Sequence, residues 1–171
     1  MKIKHLALCS LFAALMAICA WIAIPVLDMA VTLQTFAIFL ALFTLGGKRG
    51  CVSIFVYLLL GAVGLPVFSG IRGGLSALLG VTGGYIWGFL VGGLIYWGIT
   101  RFFTEKFKIL SAILTLLACY TCGTLWYYFA YSEGGLLLIA VKCVAPYILP
   151  DAVKIWMAFY VSKRLKQALH Q

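Results

Sequence analysis

The chain has 171 residues, 65% of them hydrophobic and 10% charged, with a formal net charge of +9, against roughly 45–50% apolar and 25% charged in a soluble domain. Water is not its main solvent: a bundle of about six membrane spans of about 20 residues each uses most of the length, and residues 1–171 form one transmembrane domain with no separate soluble part. The basic excess, which in a soluble chain would suggest nucleic acid, is distributed here as a lipid bilayer dictates, and no nucleic-acid partner is expected.

The first predicted span runs from about His5 to Ile24 and stops at Pro25, leaving Asp28 in a connection. Lys2 and Lys4 ahead of an apolar run resemble a secretory signal, but the uncharged stretch from Leu6 to Leu27 is longer than the roughly 7–15 residues of such a core, and no small-x-small cleavage site closes it. Ala13 and Ala17, with Ala7, Ala14 and Ala20 nearby, let another helix come close, either inside the bundle or as a docking surface for a partner protein.

Val31-Thr32-Leu33-Gln34-Thr35-Phe36 leads into a short second span that ends at Gly46-Gly47-Lys48-Arg49. Thr32, Gln34 and Thr35 offer uncharged donors and acceptors there, as a helix start with Thr32 as the cap or as ligand contacts. A third span covers about Gly50 to Val63. The following connection, Gly64 to Gly84, holds seven glycines and Pro66 but a single charge, Arg72, amid Leu65, Val67, Phe68, Ile71, Leu75, Leu78 and Leu79. Irregular backbone this apolar is tolerated where it is buried in protein or lines a cavity, so it is expected to form the wall of a pocket.

Spans four and five are expected over about Tyr85 to Phe103 and Ile109 to Tyr131, joined by a basic turn. A short segment from Gly134 to Tyr147 then precedes Pro150-Asp151, which opens a sixth span ending near Lys163. Leu136 to Val141 is read outside a seventh crossing because Lys142 and Pro146 interrupt it. Ten of the thirteen Lys and Arg residues fall in the termini and in alternate connections, with only Arg72 in the other set, which puts both termini in the cytoplasm.

Asp151 and Lys154 are the most informative pair, because an ionisable residue in a span costs about 2.5–3.5 kcal/mol on insertion scales and faces the protein interior. Their i, i+3 spacing places them on one helix face. Two readings follow: a cap of span six in which Lys154 neutralises Asp151, or a ligand site. The six cysteines lie mostly in apolar runs and pack as small hydrophobes; Cys119-x-x-Cys122 has no second pair, and His5 and His170 sit at the chain ends, so no metal site or cofactor is expected. Gly46-Gly47-Lys48-Arg49 lacks the first glycine and the hydroxyl of a phosphate loop, and no H-E-x-x-H motif occurs, so the chain neither hydrolyses ATP nor reads as an enzyme.

Thr32-Leu33-Gln34-Thr35-Phe36, Tyr57-Leu58-Leu59-Leu60-Gly61-Ala62 with Gly64-Leu65-Pro66-Val67-Phe68, Thr82-Gly83-Gly84-Tyr85, and Pro150-Asp151 with Lys154 occur in this order. On these motifs, from about Pro25 to Lys154, the chain resembles BioY, the biotin-binding S component of energy-coupling-factor transporters. Val81 and Ala30 stand where the family usually has proline. The resemblance implies a six-helix membrane subunit in the cell membrane that captures biotin from outside and works with a transmembrane coupling protein and two cytoplasmic ATPases, which use the ATP. It also implies ligand contacts at Asp151 and Lys154, supported by the Gln34 region and the Gly73, Gly74, Gly83 and Gly84 backbone. Tyr85 is a further candidate contact, and Arg72, in the outer wall, is placed to attract the ligand carboxylate. An S component for another vitamin, a self-sufficient secondary carrier and a membrane scaffold are the rival readings.

Overall fold

The structure, a computed structural model, describes residues 3–26, 29–103, 107–131 and 135–169. Expectations placed on Lys2, Asp28, Lys106, Gly134 and His170 lie outside them. The elements in chain order are α1 (Ile3–Trp21), β1 (Ala23–Val26), β2 (Met29–Thr32), α2 (Gln34–Leu45), α3 (Gly47–Ala62), α4 (Leu75–Leu78), α5 (Gly83–Phe102), α6 (Lys108–Tyr131) and α7 (Leu136–Leu169). By length and composition α1, α6 and α7 can each cross a membrane. Of the others, α4 is a single turn of four residues.

Two features depart from the sequence expectation. The chain is not wholly helical, because β1 and β2 pair antiparallel, with Ile24 opposite Val31 and Pro25 opposite Ala30. Pro25 fits an edge position, where no ladder N–H is required of it. The Leu33 N–H donates to the Ile22 carbonyl at 3.1 Å and closes the hairpin onto the end of α1. The second departure is α7, which runs unbroken for 34 residues with Pro146 and Pro150 inside it, so Pro150-Asp151 does not open a helix. Each proline removes one rung of the helical ladder, which membrane helices tolerate because neighbouring groups satisfy the freed carbonyl. Lys142 points outward from this helix and does not break it.

Packing is set by glycine. Gly84, Gly88 and Gly92 recur every fourth residue along α5, and a Cβ on any of them would press into α6 at Trp126, Cys119 or Thr115. Gly123 of α6 faces the Tyr85 ring in the same way. The two backbones therefore approach closely, and the Thr115 hydroxyl donates to the Gly92 carbonyl at 2.9 Å. On the other side of α5, Gly93 accommodates Ile54 and Cys51 of α3. Phe43 joins α2 to α5 and α7 through edge contacts with Tyr96 at 6.0 Å and Phe159 at 5.6 Å.

Ala13 and Ala17 are inside the molecule, where α1 packs on α2 and α3. Ala13 is fully buried, while Ala7 and Ala14 of the same helix are exposed. Gly92→Leu should lower the thermal midpoint in detergent through overpacking worth about 1–3 kcal/mol. Gly98, with nothing near its absent Cβ, is the control: Gly98→Ala should raise the midpoint slightly, by about 0.5–1 kcal/mol of helix stability.

Candidate functional site

At the hairpin end of the bundle a cavity opens to solvent, bounded by β2, α2, α5, α6 and α7. Apolar walls with a few placed polar groups suit a small organic ligand. One face of α7 supplies Cys143, Tyr147, Asp151 and Lys154, a spacing of four, four and three residues that a helix aligns along one side. α6 supplies Leu116, Cys119 and Tyr120, and α5 supplies Tyr85, Ile86 and Phe89. The hairpin and the start of α2 contribute Ala30, Val31, Thr32, Gln34 and Thr35.

The polar groups fall into three sets. Asp151 and Lys154 form an ion pair of 2.8 Å, and both residues are buried. The Tyr120 hydroxyl donates to the other carboxylate oxygen at 2.8 Å. Asp151 is thereby held by one partner from its own helix and one from α6, which fixes its rotamer. Lys154 uses one donor on Asp151; an ammonium has three, so further capacity remains for a ligand.

The second set is Gln34. It is 4% exposed, and its side-chain Nε2 has no hydrogen-bond partner among the described residues. An unpaired buried donor costs about 1–3 kcal/mol, which a ligand acceptor would recover. The third set ties the walls together: the Tyr85 hydroxyl donates to the Cys143 carbonyl at 3.1 Å, joining α5 to α7, and the Tyr147 hydroxyl donates to the Val26 carbonyl at 3.2 Å, joining α7 to the hairpin.

Of the residues singled out from sequence, Thr32, Gln34, Tyr85, Asp151 and Lys154 line the cavity. Thr32 sits in β2 rather than at the cap position, which Leu33 occupies, although its hydroxyl accepts the Gln34 N–H at 3.3 Å. Asp151 lies well inside α7, so the capping reading does not hold. Arg72, Gly73, Gly74, Gly83 and Gly84 are outside the lining. Arg72 is exposed, and the glycines serve close backbone packing: Gly73 beside the Leu65 carbonyl, Gly83 beside that of Leu78, and Gly84 against Trp126. Gly74 takes φ +81° and donates to the Gly61 carbonyl at 2.7 Å. Of the Gly64–Gly84 connection, expected as the pocket wall, only Ser69 and Thr82 line the cavity.

Tyr120, Tyr147, Cys119 and Cys143 are lining residues that the sequence reading missed. A ladder stepping back from Asp151 in fours reaches Tyr147 and Cys143, and is available only if the helix is read through Pro146 and Pro150.

The family model for BioY matches residues 1–171. The chain belongs to the BioY family. Among its relatives, the probable biotin transporter BioY of Pyrococcus horikoshii is 37% identical over 168 residues, covering 97% of this chain and 98% of that protein. The biotin transporter BioY of Thermotoga maritima is 36% identical over 166 residues, covering 96% of each. The fold matches a crystal structure at 2.1 Å of the S-component for biotin from an ECF-type ABC transporter, with TM-score 0.85 and 26% identity over 97% of this chain and 92% of that one. The Thr32–Phe36 and Pro150–Lys154 motifs meet at the cavity, which Thr82 and Tyr85 of a glycine motif also line.

Removing one partner of a buried pair is expected to cost more than removing both. Lys154→Met should lower stability by about 3–5 kcal/mol, and Asp151→Leu with Lys154→Met should recover most of that loss. Thermal unfolding of the two purified variants decides it; equal losses would show that leaving Asp151 without Lys154 carries no penalty of its own.

Proposed function

We propose that this chain takes up biotin: it binds the vitamin in the cavity from outside the cell and, as an S component, delivers it inward together with a transmembrane coupling protein and two cytoplasmic ATPases. The observation that carries the reading is the pairing of a buried Asp151–Lys154 ion pair with an unpartnered Gln34 amide on the apolar walls of one cavity. Biotin presents a ureido ring rich in donors and acceptors, an apolar thioether ring and chain, and a carboxylate. Tyr120 and Lys154 hold Asp151 so that its remaining lone pairs can accept a ureido N–H. Lys154 and Gln34 donate to ligand oxygens, and Phe89, Ile86 and Leu116 cover the apolar part. The chain is not an enzyme, and with no phosphate loop in its sequence the energy of ATP enters through the partners.

The cell membrane and both termini in the cytoplasm fit the distribution of charge. Lys48, Arg49, Arg101, Lys108, Lys163, Arg164 and Lys166 lie at the helix ends remote from the hairpin, so the cavity mouth is the outer side. The six helices of 12 to 34 residues among the described residues support a six-span bundle.

Calorimetry of the detergent-purified protein should show saturable biotin binding. Lys154→Met should weaken it by roughly 10- to 150-fold, the value of about 1.5–3 kcal/mol for a hydrogen bond to a charged group. Gln34→Leu should weaken it by roughly 2- to 10-fold, the range of a neutral bond. Binding of a different vitamin in place of biotin would keep the S-component reading and change the substrate, and no saturable binding at all would leave the scaffold reading standing. For the orientation, Gln167→Cys should react with a membrane-impermeant thiol reagent only after permeabilisation.

A further inference from the structure

The connection between α3 and α5, residues 63–82, contributes little to the cavity yet is the most unusual stretch of surface on the molecule. Its side chains divide sharply. Val67, Phe68, Ala77 and Leu78 point inward, whereas Val63, Leu65, Ile71, Leu75 and Leu79 are exposed, Ile71 at 67% and Leu75 at 66%. Arg72 is its one charge. Ile71 holds φ +58°, a left-handed conformation that β-branched residues rarely adopt. It does so at the tip of a tight turn closed by the Phe68–Arg72 bridge. A strained backbone that turns a large apolar side chain outward gains nothing in water.

Two further observations identify the medium. The exposed apolar stripe of α3, Phe55 and Leu59, steps by four directly into Val63, so the lipid-facing surface of the helices continues into the connection without a polar border. Then there is the backbone. Four of its carbonyls accept hydrogen bonds from aromatic side chains on surrounding elements: Pro66 from Trp21 at 2.7 Å, Val67 from Tyr57 at 3.0 Å, Leu79 from Tyr131 at 2.5 Å and Gly80 from Trp126 at 3.1 Å. Irregular backbone survives at membrane depth only when its polar groups are satisfied by protein. Trp and Tyr are the residues whose apolar bodies and polar tips settle at the boundary between headgroups and acyl chains.

We infer that residues 63–82 are seated in the interfacial layer of the bilayer, with Ile71, Leu75 and Leu79 among the acyl chains and Arg72 reaching up to phospholipid phosphates. Arg72 has the long apolar stem and the forked donors for that position. The partner surface is therefore lipid, continuous with the membrane face of α3, and not an aqueous rim around the cavity.

The test is a depth measurement in liposomes of phosphatidylethanolamine and phosphatidylglycerol. Nitroxide labels on Ile71→Cys, Leu75→Cys and Arg72→Cys are compared with one on Gln167→Cys, an exposed position near the end of α7, by collision with oxygen and with a water-soluble nickel chelate. Signal from native thiols, five of which are buried, is subtracted using the unsubstituted protein. The oxygen-to-chelate ratio should be several-fold higher at Ile71 and Leu75 than at Gln167, with Arg72 in between. Ratios at Ile71 and Leu75 equal to that at Gln167 would overturn the inference. Labels shielded from both reagents would also overturn it, in favour of a covering protein such as a second copy. Biotin binding by each labelled variant checks its folding independently, and the Ile71 and Leu75 sites each suffice alone if the other variant misfolds.

Discussion

In hydrocarbon a polar group without a partner costs several kcal/mol, because no water is present to take the place of a lost hydrogen bond. That constraint organises this molecule from the backbone outward. It makes the spanning segments helical. It explains why the Thr115 hydroxyl turns to the Gly92 carbonyl, and Ser111 and Thr121 to carbonyls one turn back on their own helix. It explains why Asp151 is met by both Lys154 and Tyr120. Where the chain leaves helix, between α3 and α5, the constraint is met by indole and phenol donors drawn from α1, α3 and α6. Gln34 stands out against this background because the amide is buried, lines the cavity and is unmatched among the described residues. In such a molecule an unmatched donor in a cavity is a statement about what enters the cavity.

Much of this was legible in the sequence, and for a physical reason. The limits of α3, α5 and α6 follow from the length of apolar runs between basic turns, and the structure places them within a few residues of that reading. Asp151 and Lys154 were legible because charge inside an apolar run is expensive and therefore informative. The hairpin was not, since strands of four residues flanked by apolar helices leave no alternation to read. α7 was misread because Pro146 and Lys142 look like interruptions in one dimension, whereas in the helix the lysine simply faces outward.

The glycines and tyrosines mark the limit of sequence reasoning from the other side. Gly83 and Gly84 belong to a motif that resembles a ligand-binding family, yet their immediate role is to let α5 meet Leu78 and Trp126. Small residues permit close approach to anything, and only coordinates say whether the neighbour is a ligand or a helix. Tyr120 and Tyr147 carry no signal in one dimension, and only their hydroxyl partners, Asp151 and Val26, tie them to the cavity walls.

The two prolines of α7 carry a mechanical consequence. Pro146 and Pro150 deprive the carbonyls of residues 142 and 146 of their usual helical donors, so two successive turns of this helix lack a rung. Bending is softest where rungs are missing. The second of these gaps, from residue 146 to residue 150, separates most of the hairpin-gripping turn at Tyr147 from the Asp151–Lys154 pair, which is anchored to α6. The two arms of the helix thus carry successive parts of one cavity wall, one tied to the hairpin and the other to α6 across the missing rung.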